Sequence, residues 1–232
     1  HFVLISCFLV IPLALREAGL AADQHWKMYL AVIFLAMILM TPFIISAEKK
    51  RRIKSIYLAA IFTLMITTYA FIYVHEQFWS FFVFIVVFFT AFNILEASLP
   101  SLLVKTVAAN KKGSAMGVYS SFQFLGAFCG GSISGKLLGL YGFEAVFICA
   151  LSALCLWFLF AISMRNPRYL SSYVLKVGEM SEAQARDLVL KITQVRGVAE
   201  VVVDESEGMA YLKVDSKALD KTALNKFSTA EI

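Results

Sequence analysis

The sequence predicts a polytopic all-α membrane bundle of six helices, the first one truncated, followed by a small α+β domain of the ferredoxin-like type. Three observations carry this. Hydrophobic residues make up 60% of the 232 and charged residues only 16%, with a mean hydropathy of +0.77, which leaves too little polar surface to coat a soluble globule of this length. The apolar residues gather into blocks close to the roughly 20 that cross a hydrocarbon core. After Met164 the composition changes abruptly: aromatic residues thin out and charge rises.

The blocks follow in order. The first, from Phe2 to Leu15, offers about fourteen apolar residues before Arg16 and Glu17, or roughly 20 Å of helix, which is too short to cross. Position 1 is not Met, and the basic flank and small-residue cleavage site of a signal peptide are missing. The block therefore reads as the second half of a span, with an N-terminal part of the protein expected before His1. Residues 28–47, 53–74, 78–104, 114–138 and 143–164 then supply five full spans. Trp26, Tyr29, Tyr73 and Trp79 sit where anchoring aromatics mark the membrane interfaces. Cys7, Cys129, Cys149 and Cys155 fall inside apolar blocks without a CxxC spacing, so they read as small hydrophobes. Neither a disulfide framework, a metal site nor a cofactor is expected.

Charge sets the orientation. Up to Met164 there are eleven Lys and Arg against six Asp and Glu, whereas the remainder carries ten of each. The excess of +5 thus lies in the membrane part, and nucleic-acid binding, which wants a basic domain, is excluded. The segments "EKKRRIK" (Lys49, Lys50, Arg51, Arg52, Lys54) and "KTVAANKKG" (Lys105, Lys111, Lys112) hold the basic residues, while the alternate loops hold only Arg16, Lys27 and Lys136. By the positive-inside rule the rich loops are cytoplasmic. Counting spans onward puts everything after Met164 in the cytoplasm. His75 with Glu76 and His25 with Asp23 then fall in outer loops or beside a helix start, as solvated groups.

The tail reads as a separate domain over 173–232, joined by a linker at 165–172. A strand is predicted at 173–177, a helix capped by Ser181 at 181–194, strands at 198–203 and 209–214 around the turn "ESEG", and a second helix at 220–227. This is the β-α-β-β-α start of a split βαβ unit, whose last strand would lie at or beyond "FSTAEI". The run from "VGEMSEAQARDL" to "GMAYLKVD" resembles heavy-metal-associated domains. Where that family carries Met-x-Cys-x-x-Cys, this chain has Met180, Ser181, Glu182, Ala183 and Gln184. Without thiolates no soft-cation site is expected, and the tail reads as a regulatory or assembly module.

One stretch in the bundle raises a chemical question. In "FFTAFNILEASLPSLL" an ionisable group, Glu96, stands with Asn93 and Pro100 deep in an apolar block. An acidic side chain at a helix centre costs about 2.5 to 3.5 kcal/mol, so such groups face a cavity or a partner. Burial penalises the charged form of a carboxyl, and a group that can load and shed a proton is what a proton carrier needs. Counted from the basic loop, Glu96 lies about 12 Å deep and Gln123 about 13 Å. Asn93 shares a helix face with Glu96 at i,i+3, and Tyr119 shares one with Gln123 at i,i+4. If those faces meet, the four residues make one polar pocket about halfway across the bilayer. An interhelical hydrogen-bond clamp is the plainer meaning of the same pattern. Pro100 removes a backbone donor one turn beyond Glu96. On the next helix Gly126, Gly130, Gly131 and Gly135 give small-xxx-small spacings that let helices approach closely.

The segments "FNILEASLPSLLVK" and "KGSAMGVYSSFQFLGAFCGGSISG", with "QHWKMYL" from Gln24, the loop "PFIISAEKKRRIK" and the tail, resemble the C-terminal half of a major facilitator superfamily transporter of the YajR-like branch. The resemblance covers essentially the whole chain. It implies helices seven to twelve of twelve, with Asn93, Glu96 and Pro100 on the tenth and Tyr119 and Gln123 on the eleventh. It further implies a non-enzymatic, multi-pass protein of the bacterial inner membrane, exporting a small amphiphilic solute against protons by alternating access. The solute would lie between this half and an N-terminal six-helix half. The basic loop after Phe43 lacks the Gly and Asp of the superfamily's loop motif. A membrane-anchored sensor or scaffold, with the tail binding a regulatory ligand or partner, is the alternative expectation.

Overall fold

The computed structural model describes residues 1–49, 51–107, 111–164, 170–215 and 218–229. Lys50, part of the expected linker and the end of "FSTAEI" lie outside them. The chain divides into two units, one of His1–Pro100 with Val118–Asn166 and one of Ser101–Gly117 with Pro167–Ile232.

In the first unit α1 (Phe2–Glu17) is the short opening helix, joined through a 3-10 turn at Ala22–Gln24 to α2 (His25–Lys49). Helices α3 (Ile53–Val74), α4 (Phe78–Thr106) and α5 (Lys112–Ser163) follow, α4 belonging to this unit up to Pro100 and α5 from Val118 onward. Among the described residues four helical segments, from Ala22–Lys49 to Lys112–Ser163, are long and apolar enough to cross a membrane. The last holds two of the expected spans, because Gly142 at φ 78° and ψ −169° interrupts it. That backbone region is essentially open to glycine alone, so residues 112–141 and 143–163 form two limbs, each of spanning length.

The core explains the packing. Cys7, Val10, Ile11, Ala14 and Leu15 of α1 are fully buried. Phe71 of α3 anchors an aromatic cluster, with ring centroids 5.3 Å from Phe81, 5.7 Å from Phe88 and 5.5 Å from Phe147. Leu30 and Phe34 of α2 and Phe124 and Phe128 of α5 are exposed, as expected of side chains that meet lipid rather than water. Lys54, at the start of α3, donates from Nζ to the carbonyls of Ile162 at 3.0 Å and Met164 at 2.5 Å. The basic loop and the end of α5 therefore lie on one face of the bundle.

The second unit contains a three-stranded antiparallel sheet of order β1-β3-β2, from β1 (Ser171–Lys176), β2 (Val198–Asp204) and β3 (Met209–Val214). β1 begins inside the expected linker, because Ser171 and Ser172 pair with Val214 and Lys213. Helix α6 (Glu182–Thr193) opens on a capping box in which the Ser181 backbone N–H donates to Gln184 Oε1 at 2.9 Å. Helix α7 (Lys221–Asn225) is capped by Asp220, whose Oδ1 accepts from the Ala223 N–H at 2.9 Å. The sheet and α6 bury Leu175, Ile192, Leu212 and Val214. Two glycines are required here. Gly197 (φ 89°) lies so near Leu219 that a Cβ would stand 2.5 Å from its Cα, and one on Gly208 would stand 2.7 Å from the Gly178 carbonyl carbon. Lys213, only 3% exposed, donates to the carbonyls of Lys105 and Val107 within the same unit. Its burial pushes the ammonium below its usual range.

Candidate functional site

Helical periodicity sets the site. On α4, Asn93 and Glu96 lie one turn apart, and the helix continues through Pro100. Proline has no N–H, so the Glu96 carbonyl loses its i+4 helical donor. On α5, Tyr119 and Gln123 are a turn apart, and Gln123 donates from Nε2 to the Tyr119 hydroxyl at 3.1 Å. The same nitrogen donates to Glu96 Oε1, also at 3.1 Å. The two polar faces therefore meet.

They meet on a cavity of about 450 Å³ whose lining includes Glu96, Tyr119 and Gln123. The Glu96 side chain is 43% exposed, so it opens to the cavity instead of being sealed among apolar groups. Asn93 is half-buried on α4 and is not among the residues that line the cavity. The structure thus brings three of the four expected pocket residues together and leaves Asn93 beside them.

Residues that sequence reasoning did not single out complete the site. His1 Nε2 lies 3.9 Å from Glu96 Oε2, and its ring packs edge-on against Phe92 with centroids 5.8 Å apart. Trp157 also lines the cavity, and its Nε1–H donates to the Tyr57 hydroxyl at 3.0 Å. It is embedded in "LCLWFLF", where an aromatic residue cannot be told from bulk apolar filling. Among the described lining residues there is no Lys or Arg. The acidic group of the site is Glu96, with the His1 imidazole near it.

The glycine stripe of α5 packs on α1. A Cβ on Gly130 would lie 2.5 Å from the Phe2 carbonyl oxygen, one on Gly126 3.4 Å from the Phe2 nitrogen, one on Gly131 3.5 Å from Ile5 and one on Gly135 4.0 Å from Leu9. Within the same contact Ser134 Oγ donates to Ser6 Oγ at 2.8 Å, and Ser6 Oγ donates to the Phe2 carbonyl at 2.8 Å. Small residues let the backbones approach, and hydroxyls bond across the contact. Because Phe2 also lines the cavity, this close approach fixes one of its walls.

Comparison with known proteins agrees with this architecture. The family model of the Major Facilitator Superfamily matches residues 3–199. The inner membrane transport protein YajR of Escherichia coli (strain K12) is 37% identical over 221 residues, covering 95% of this chain and 48% of that protein. Uncharacterized transporters of Buchnera aphidicola are also similar. The one from subsp. Acyrthosiphon pisum is 32% identical over 170 residues, covering 73% of this chain and 44% of the relative. The one from subsp. Schizaphis graminum is 32% identical over 162 residues, covering 69% and 41%. The chain spans about half the length of the curated relatives it matches. With a family model matching most of its residues and membrane helices to accompany it, the chain belongs to the Major Facilitator Superfamily.

Proposed function

We propose that this chain forms the C-terminal half of a proton-coupled secondary transporter, exporting an amphiphilic solute by alternating access, with Glu96 as the group that gains and loses the proton. The observation that carries the reading is the Glu96 carboxylate in the wall of an otherwise largely apolar cavity, held by Gln123 at 3.1 Å. An intramembrane acid that faces a cavity marks an ion or substrate pathway. A second six-helix half would close the cavity from the other side, and rocking of the two halves would expose it to each face in turn. Asn93, one turn further along α4, would reach the solute only as the helices rearrange.

Lys54 supports an orientation. Its bonds to the end of α5 join the basic loop to the face where the last membrane helix ends. Basic loops favour the cytoplasm, so the tail is cytoplasmic in this reading.

The test is Glu96→Gln in the full-length protein reconstituted into vesicles. Addition of an exported amphiphile should release protons from wild-type vesicles held under a pH gradient. In the variant that release should be lost while the protein still folds and inserts. Unchanged proton release from the variant would overturn the assignment of Glu96.

A further inference from the structure

We propose that Trp157 is a specificity-determining residue of the cavity and that the solute it selects is an aromatic amine, with Tyr57 as the residue that positions the indole. This rests on the transport reading above and adds a substrate class to it.

An indole has one hydrogen-bond donor and no acceptor, and in Trp157 that donor is taken by the Tyr57 hydroxyl at 3.0 Å. Tyr57 is 6% exposed, and its ring meets the indole edge to face, with centroids 5.9 Å apart and an interplanar angle of 84°. One edge of Trp157 is therefore consumed inside the bundle, and its ring plane is fixed from α3. What remains for the cavity is π surface and C–H edge, with no polar group to satisfy. Phe92 and Phe122 add aromatic surface to the same cavity. Such surfaces favour an aromatic ring in stacked or edge-to-face contact, or a cation over the ring.

The polar groups have the opposite bias. Gln123 spends its amide nitrogen on Glu96 and on Tyr119, which leaves its carbonyl oxygen. The ionised carboxylate of Glu96 is acceptor-only. A solute head that matches these acceptors donates hydrogen bonds and carries positive charge, as a protonated amine does. An anionic head would meet the carboxylate with no Lys or Arg among the described lining residues to receive it. The cavity, about 450 Å³, falls within the range of small-ligand sites.

The two ends are linked through Tyr119. Its hydroxyl accepts from Gln123 at 3.1 Å, and its side chain lines the same cavity as Glu96 and Trp157. An amine at Glu96 competes with the proton for one carboxylate, while the ring it carries is read by Trp157. Charge and ring are therefore recognised by separable residues, which makes the assignment testable.

The experiment is calorimetric titration of the full-length protein in nanodiscs with naphthylethylamine and with its saturated decahydronaphthyl analogue, which has the same head. Wild type should prefer the aromatic ring by about 2- to 10-fold, the range expected of one aromatic contact. Trp157→Leu should remove most of that preference, leaving what Phe92 and Phe122 supply. Trp157→Phe, the safer variant for folding, should keep most of it. Tyr57→Phe should reduce the preference on its own and add nothing in the Trp157→Phe background, because both remove the same N–H···O contact. A residue with a merely structural role would shift both amines equally. Glu96→Gln should weaken both amines together and leave the ring preference intact. Binding of neither amine to wild type, equal binding of both by wild type, or a ring preference undiminished in Trp157→Leu overturns the inference. Proton release that survives Glu96→Gln, with the ring preference still reduced in Trp157→Leu, overturns the coupling role and leaves the ring specificity standing.

Discussion

The side-chain amide of Gln123 donates to the carboxylate of Glu96 at 3.1 Å and so joins α5 to α4 at the cavity wall. Since that nitrogen also serves Tyr119, Gln123 is the shared member of a three-residue set. Replacing it with Leu removes both bonds. An interhelical hydrogen bond in a membrane is worth about 0.6 kcal/mol, or roughly a threefold change in an equilibrium. Gln123→Leu is therefore expected to slow solute-driven proton release about threefold, the scale of that bond. Initial rates from wild type and Gln123→Leu, in vesicles matched for protein content, check the expectation.

Gly130 faces the Phe2 carbonyl so closely that a single methyl group does not fit, its Cβ falling 2.5 Å from that oxygen. The obstacle is backbone, which cannot swing aside as a long side chain can. Gly130→Ala must push α1 away from α5, and overpacking of this kind costs about 1 to 3 kcal/mol. Gly139 offers the contrast, with nothing among the described residues within 4 Å of its Cβ. Gly139→Ala should be neutral or slightly stabilising, since alanine is the better helix former. Thermal unfolding of the two variants in detergent should separate them by several degrees, with Gly130→Ala the lower.

The helices were readable from sequence because membrane spans obey a length rule, and the break at Gly142 falls between the apolar blocks that the rule defines. The tail was readable for another reason. Its turns carry specific residues, and the strand expected at 209–214 forms over those residues as β3. The site was only half readable. Spacing placed Glu96 beside Gln123 because polar residues stand out against an apolar background, and the two helix faces do meet. Asn93 lies beside the cavity because i,i+3 spacing gives a shared face but not the width of the cavity that the face meets. Trp157 was hidden for the converse reason. Its ring is oriented by an N–H bond to Tyr57, one hundred residues away in the chain, which no local pattern shows.

Asp204 ends β2 and organises the turn into β3. Its Oδ1 accepts from the Ser206 hydroxyl at 2.7 Å and from the backbone N–H groups of Ser206 and Glu207, each at 3.1 Å. The hydroxyl bond leads in holding the carboxyl below its ordinary value of 3.8, with the Glu207 N–H next. A folded value below the unfolded one means the turn is stabilised above the unfolded value, and that stabilisation is lost as the pH falls through the folded one. Acidification from pH 5 should therefore loosen this turn first below about pH 4. Ser206→Ala should move the Asp204 titration back up toward 3.8. Asp204→Asn should remove this group's share of the acid sensitivity. A carbon-detected NMR titration of the side-chain carboxyls reads the first effect, and amide exchange around Ser206 reads the second.

Lys54 closes the C-terminal end of α5 by donating to the carbonyls of Ile162 and Met164, at 3.0 and 2.5 Å. The last carbonyls of a helix have no intrahelical donors, and the helix dipole places partial negative charge at that end. An ammonium there satisfies both needs, which gives one residue of the basic loop a structural task besides setting topology. Lys54→Met should destabilise the bundle by about 0.3 to 1 kcal/mol at low ionic strength. Lys54→Arg should retain most of the effect, because charge and donors both persist. Since the contact is partly exposed, added salt should narrow the gap between wild type and Lys54→Met. Unfolding midpoints for the three proteins at low and high salt test this. A gap that does not narrow would mean that the lysine's aliphatic stem packs against α5 and that its charge contributes little.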